Sequence, residues 1–172
     1  MINFRKAILS DAHAITTLVN SAYRGNSSRA GWTTEADLLG GQRTDPEKIA
    51  EMINDPKAQI ELAWEKDELL GCVYIKKEER YLYFGMLTVK PTLQTKGIGK
   101  LLLSHLEDLA KAWGYNKIKM TVISQRQELI SFYERRGYHF TGESEPFPED
   151  DPRFGLPKTK LLFHVFEKNL NS

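Results

Sequence analysis

The chain has 172 residues, 41% of them apolar and 27% charged, with a formal net charge of +1. That size suits one domain, here residues 1–172, with a core of its own, and the composition is that of an ordinary globular protein. Balanced charge with no charged block at either end argues against nucleic acid or an anionic membrane as partner. The opening Met1-Ile2-Asn3-Phe4-Arg5-Lys6 lacks a leader pattern, and no apolar run is long enough to span a bilayer, so a soluble cytoplasmic protein is expected. Cys72, the one cysteine, lies in the apolar run Leu69-Leu70-Gly71-Cys72-Val73 and reads as a small core residue.

In chain order, residues 2–8 read as a strand. Ser10 and Asp11 offer N-caps for a helix over 12–23, where Ile15, Leu18, Val19 and Ala22 share a face. A loop follows, then a short helix capped by Thr33 or Thr34, then a turn at Gly40-Gly41. Pro46 opens a helix over 46–53, closed by Asp55-Pro56. Residues 59–64, 69–76 and 81–89 read as strands joined by short polar turns, hence antiparallel hairpins. The clearest helix spans 97–113, with Ile98, Leu101, Leu102, His105, Leu106, Leu109 and Trp113 at the spacing of one buried face, and Gly114 stops it. A strand at 118–123, a helix at 128–136 ended by Gly137, and a strand at 138–142 come next. Residues 143–158, rich in proline and acid, read as a loop before a last strand at 160–167. The order describes one α+β domain on a mixed sheet.

The chemistry concentrates where the strand ending Leu87-Thr88-Val89 leads into Gln94-Thr95-Lys96-Gly97-Ile98-Gly99 at the start of the long helix. A glycine-rich turn there presents several backbone N–H groups to an anion, helped by the helix dipole. The spacing fits neither a Walker A loop nor a dinucleotide fingerprint, whose third glycine position is Leu102 here. Tight helix packing is the bland alternative for the two glycines.

Gln94-x-x-Gly97-x-Gly99, after a strand ending Leu87-Thr88-Val89-x-Pro91, resembles the acyl-CoA signature of the GNAT superfamily of N-acetyltransferases. Leu129-Ile130-Ser131-Phe132-Tyr133-Glu134-Arg135-Arg136-Gly137-Tyr138 resembles that family's second motif, an aromatic–tyrosine helix followed by a glycine turn. The resemblance runs from Phe4 to about Gly142. It implies a mixed, mostly antiparallel sheet of six or seven strands with helices on both faces.

The resemblance also implies site residues. Backbone groups of Leu87, Thr88 and Val89 would pair with the pantetheine arm, and a bulge there would splay this strand from strand 118–123. Amides from Thr95 through Lys100, including Gly97, Ile98 and Gly99, would hold the pyrophosphate of coenzyme A, with Gln94 in the motif and Lys96 and Lys100 either adding charge or lying solvated. Tyr133 matches the tyrosine that protonates the departing thiolate. Many relatives carry Asn where Arg126 stands; Arg126 would reach a CoA phosphate or lie in a loop. The strand 81–89 has no carboxylate for a general base, so the base comes from elsewhere or solvent does the work; Glu35 is the candidate, its alternative being to complement a helix N-terminal dipole, with Glu143 second. Trp32 is a candidate for the acceptor-pocket wall or a core anchor, and Arg43 would recognise an acceptor carboxylate or sit on the surface.

The implied function is an N-acyltransferase moving an acetyl or short acyl group from acetyl-CoA to a primary amine in a ternary complex. A catalytically silent CoA-binding sensor or subunit is the alternative, favoured by the missing strand carboxylate. The acceptor is a small-molecule or protein amine. The acidic segment at 143–151 hints at a cationic one. Strand exchange near the C-terminus would give a homodimer. No histidine, cysteine or carboxylate spacing suggests a metal.

Overall fold

The computed structural model describes residues 1–23, 39–40, 44–93, 97–146, 156–157 and 162–170. Strand β1 (Asn3–Lys6) leads through a 3-10 turn (Leu9–Asp11) into helix α1 (Ala12–Tyr23). A short strand β2 (Leu39–Gly40) precedes helix α2 (Pro46–Asn54) and the meander β3 (Ala58–Glu65), β4 (Glu68–Lys77) and β5 (Leu82–Val89). Helix α3 (Ile98–Ala112), strand β6 (Lys117–Ile123), helix α4 (Gln127–Glu134) and strand β7 (His139–Pro146) follow, then β8 (Leu156–Pro157) and β9 (Leu162–Asn169).

Local chemistry explains most boundaries. Asp45 caps α2, its Oδ1 accepting from the Lys48 amide at 2.8 Å, and Pro46 occupies the first turn, where a missing N–H costs nothing. Helices α3 and α4 both stop at left-handed glycines, Gly114 (φ 87°) and Gly137 (φ 92°). Asp11, expected as an N-cap, instead turns its carboxylate backward. It accepts two hydrogen bonds from the Arg5 guanidinium, both at 2.9 Å, and one from the Ile8 amide at 2.8 Å. That arrangement holds its pKa below the ordinary carboxylate range.

Seven strands form one sheet in the order β1-β3-β4-β5-β6-β9-β7, while β2 and β8 pair separately. All described pairings are antiparallel except β5 with β6. Each face carries its own core. One buries Ile15, Val19 and Ile49 of α1 and α2 against Ile60, Leu62 and Cys72, so the cysteine is the core residue expected. The other buries Leu102, Leu106, Leu129 and Phe132 of α3 and α4 against Leu82, Phe84 and Ile118. The mixed sheet with helices on both faces is thus as expected.

Three expectations need correction. The face of α3 is rotated: Ile98, Leu102, Leu103, Leu106 and Ala110 are buried, whereas Leu101 is 46% exposed. His105 lies at the rim, its Nε2 2.7 Å from the buried Glu61 carboxylate and its ring stacked on Phe4. The segment expected as a loop from residue 143 is strand as far as Pro146, because β7 resumes pairing with β9 after an irregularity near Gly142 (φ 93°). Leu39 and Gly40, expected at a helix end and a turn, form β2 instead.

Candidate active site

The site begins with an extra residue in β5. Cys72 pairs with Thr88, but Tyr74 pairs with Gly85, so β5 bulges between them. Met86 takes φ of 55°, a left-handed conformation that costs a non-glycine residue about 1–2 kcal/mol. The Thr88 hydroxyl, fully buried, donates to the Met86 carbonyl at 2.8 Å and clamps the bulge.

A bulge changes which way side chains point. Leu82 and Phe84 face the α3/α4 core. Past the extra residue so do Leu87 and Val89, while Met86 joins the opposite core. The bulge also parts the sheet. Strand β5 pairs with β6 only at Leu82–Ile118 and Tyr83–Lys119, and the two diverge beyond. The splay expected from the sequence is present: the ladder ends at Tyr83–Lys119, just ahead of the bulge at Met86.

The gap forms a cleft of about 520 Å³ that runs through the sheet from one face to the other. That volume is typical of small-molecule sites. On the α4 side it is walled by Arg126, Leu129 and Tyr133; on the α2 side by Lys48, Met52 and Tyr74. Tyr133 is 3% exposed, its ring held among Phe84, Phe132 and Tyr138 at centroid distances of 5.8, 5.2 and 5.9 Å. Arg126, the residue before α4, is buried as well.

At the α3 end the helix starts from Gly97, whose φ of 80° suits glycine. The helical ladder begins with Leu101 donating to Gly97 at 3.2 Å, which leaves the amides of Ile98, Gly99 and Lys100 in the orphan first turn. A Cβ on Gly99 would lie 3.5 Å from Phe132 and 3.8 Å from Val89, so this turn sits against both the end of β5 and α4. Beside it is a second hollow of about 530 Å³ lined by Lys100, Ser104, Arg135 and Arg136, together with Glu107 and Lys168. Glu107 binds Lys168 at 3.1 Å and the Tyr138 hydroxyl at 2.9 Å. The Arg136 guanidinium stacks 3.9 Å above the Phe132 ring, and burial followed by repulsion from Arg135 lowers its pKa.

The opposite mouth is aromatic. Tyr74 and Tyr83 meet edge to face at 6.4 Å, and burial, then the Asp55 carboxylate, pushes the Tyr74 pKa up to about 12. Lys76 pairs with Glu78 at 3.9 Å, and the Lys119 ammonium lies 4.9 Å over the Tyr81 ring. Glu145 of β7 completes this rim.

The structure therefore brings Leu87, Arg126 and Tyr133 to the cleft, with Thr88 and Val89 next along β5 and Gly97, Ile98, Gly99 and Lys100 at the nearby helix start. Trp32, Glu35, Arg43, Gln94, Thr95 and Lys96 lie outside the described residues. Glu145 lines the cleft where Glu143 was the candidate; the misread strand hid it. Arg135 and Arg136 were missed, although two adjacent arginines before a helix-ending glycine were a visible signal. Tyr74 and Tyr83 were missed because their meeting depends on hairpin register.

This arrangement defines the class. The family model of the acetyltransferase (GNAT) domain matches residues 33–151, over half of the sequence, and the chain belongs to that family. A peptidyl-lysine N-acetyltransferase of Salmonella typhimurium, YjaB, is 29% identical over 119 residues, covering 67% of this chain and 74% of that protein. An uncharacterized Bacillus subtilis protein, YdhI, is 29% identical over 76 residues; the match spans 44% of this chain and less than half, 46%, of that protein. Among solved structures, yncA of Salmonella typhimurium, described as an acetyltransferase with its cofactor acetyl-CoA, superposes with a TM-score of 0.70. It shares 19% identity, with 100% of this chain and 95% of that one covered. The seven-stranded sheet and the four α-helices among the described residues are the GNAT fold. No helix among the described residues is long and apolar enough to cross a membrane.

Proposed function

We propose that the protein transfers an acetyl group from acetyl-CoA to a primary amine by direct attack in a ternary complex. The observation that carries this reading is the cleft itself, opened where β5 parts from β6, with Tyr133 in its wall and the amide-rich start of α3 packed nearby against the end of β5 and α4. The pantetheine arm lies in the gap beside Leu87, Thr88 and Val89, and the first turn of α3 receives the pyrophosphate. The nucleotide end then meets Lys100, Arg135 and Arg136, whose charge suits a phosphate. Gln94, Thr95 and Lys96 belong to the same loop by motif.

Transfer needs an unprotonated amine at the carbonyl carbon and a proton for the departing sulfur. The Tyr133 hydroxyl supplies that proton as the C–S bond breaks. The acceptor enters from the opposite mouth, where Trp32, Glu35 and Arg43 belong by sequence and Glu145 adds a carboxylate. Resemblance to a peptidyl-lysine N-acetyltransferase supports an amine on an unbranched chain, in a small molecule or a protein. The same fold could bind CoA without turnover, and the lack of a carboxylate on β5 favours that reading.

One experiment tests both. Acetyl-CoA affinity is measured by calorimetry, and free thiol is followed with a panel of primary amines. Binding with amine-dependent thiol release is the expected result. Binding without release selects the silent reading, and absence of binding overturns both.

A further inference from the structure

We propose that Tyr83 holds the attacking amine, its phenol oxygen accepting a hydrogen bond from the nucleophile's N–H where β5 bulges. This rests on the transferase reading and names the residue that orients its acceptor.

Elimination along β5 comes first. From Leu82 to Val89, only Tyr83 and Thr88 carry a side-chain oxygen. The Thr88 hydroxyl is fully buried and engaged by the Met86 carbonyl. Tyr83 remains, half-buried and lining the cleft.

Geometry comes second. The Tyr83 ring lies along its own strand across Gly85. A Cβ at Gly85 would stand 3.1 Å from the Tyr83 hydroxyl and 3.3 Å from Cε2. Glycine at that position gives the phenol room to reach forward by two residues. Its oxygen is thereby carried over Gly85, beyond the last β5–β6 pair at Tyr83–Lys119. The edge of Tyr74, 6.4 Å away between centroids, braces the ring.

Opposition comes third. Phe84, the next residue, packs against Tyr133 at 5.8 Å on the other face of the sheet. One tyrosine therefore stands on each side of the gap, Tyr133 at the leaving thiolate and Tyr83 at the incoming nitrogen. The amine arrives as RNH2. Its lone pair forms the C–N bond, the C–S electron pair leaves with sulfur, and Tyr133 protonates that sulfur. The proton lost by nitrogen returns through water to Tyr133. Tyr83 neither gains nor loses a proton; it aims the lone pair.

The test compares wild type with Tyr83→Phe, which keeps the ring, and Gly85→Ala, which keeps the hydroxyl but displaces it. Acetyl-CoA affinity is measured by calorimetry, and thiol release is followed with spermidine, lysine amide, a lysine-containing peptide and a peptide with a free N-terminus. For the amine used best, kcat/KM should fall about tenfold in Tyr83→Phe and less in Gly85→Ala, while acetyl-CoA affinity stays within about twofold. Undiminished kcat/KM in Tyr83→Phe overturns the proposal, as does a fall matched by an equal loss of acetyl-CoA affinity. Wild-type protein that binds acetyl-CoA but acetylates no amine of the panel overturns this proposal and leaves CoA binding standing. Failure to bind acetyl-CoA removes the transferase reading and this one with it.

Discussion

The two sides of the site are made of different material. Toward α3 the features next to the cleft are largely backbone: a glycine at φ 80°, the first-turn amides of Ile98 to Lys100, and the bulged end of β5. Toward α2 they are side chains: Met52, Tyr74, Tyr83 and Glu145, drawn from four separate elements. Backbone fits a ligand part that never changes, because its geometry hardly depends on neighbours. Side chains from distant elements can be exchanged one at a time. The contrast suits a constant coenzyme on one side and a protein-specific acceptor on the other.

The sharpest way to break this comparison is to add a side chain on the backbone side. In Gly99→Glu a carboxylate enters between Val89 and Phe132, beside the amides. Acetyl-CoA affinity should fall by about 100-fold or more in calorimetry, since both bulk and charge oppose an anion there. Unchanged affinity would mean that the first turn of α3 is not the coenzyme's anchor.

Removing the hydroxyl of Tyr133, the proposed proton donor, comes next. Tyr133→Phe should lower kcat about 100-fold while acetyl-CoA affinity moves less than about twofold. Its ring packing survives, so the melting temperature should hold.

A smaller effect sharpens the boundary of the coenzyme side. Arg135→Ala should weaken binding of CoA about three- to tenfold and of dephospho-CoA much less, because one charge-assisted contact to a phosphate is lost. Equal loss for both ligands would place the 3′-phosphate away from this hollow.

The smallest effect concerns the acceptor side and appears as pH-dependent stability. The folded-state pKa of Tyr74 is raised from 10.0 to about 12, so the protonated tyrosine is favoured in the fold. The resulting stability is fully present below pH 10 and is lost as pH rises toward 12. Burial raises Tyr138 in the same direction. Urea unfolding between pH 9 and 12 should show this decline, and Tyr74→Phe should make it shallower.

How much the sequence disclosed follows the same division. The turn at Gly97, the stops at Gly114 and Gly137, and the meander of β3 to β5 were readable because each depends on residues adjacent in the chain. The place of Tyr133 on a helix was readable through the motif around it, and the structure puts that helix against the cleft. The rotation of α3 was not: Leu101 and Leu103 are equally apolar, and only the sheet's position decides that Leu103 is buried while Leu101 faces out. Strand β7 beyond Gly142 was misread because Glu143, Ser144, Glu145 and Pro146 have poor strand propensity. Pairing with β9 overrides it. The nearness of Tyr83 to Gly85 needed a rotamer, which no pattern of residue types supplies.

The early end of the β5–β6 ladder has a mechanical consequence. The sheet behaves as two leaves, β1-β3-β4-β5 and β6-β9-β7, hinged by hydrogen bonds only near Leu82 and Tyr83. Beyond the hinge their separation is set by the wedge of apolar side chains from α3 and α4, with Leu102, Leu106 and Leu129 in the common core. The aperture is thus governed by side-chain volume behind the sheet, and a methylene gained or lost there would retune it without touching either ligand.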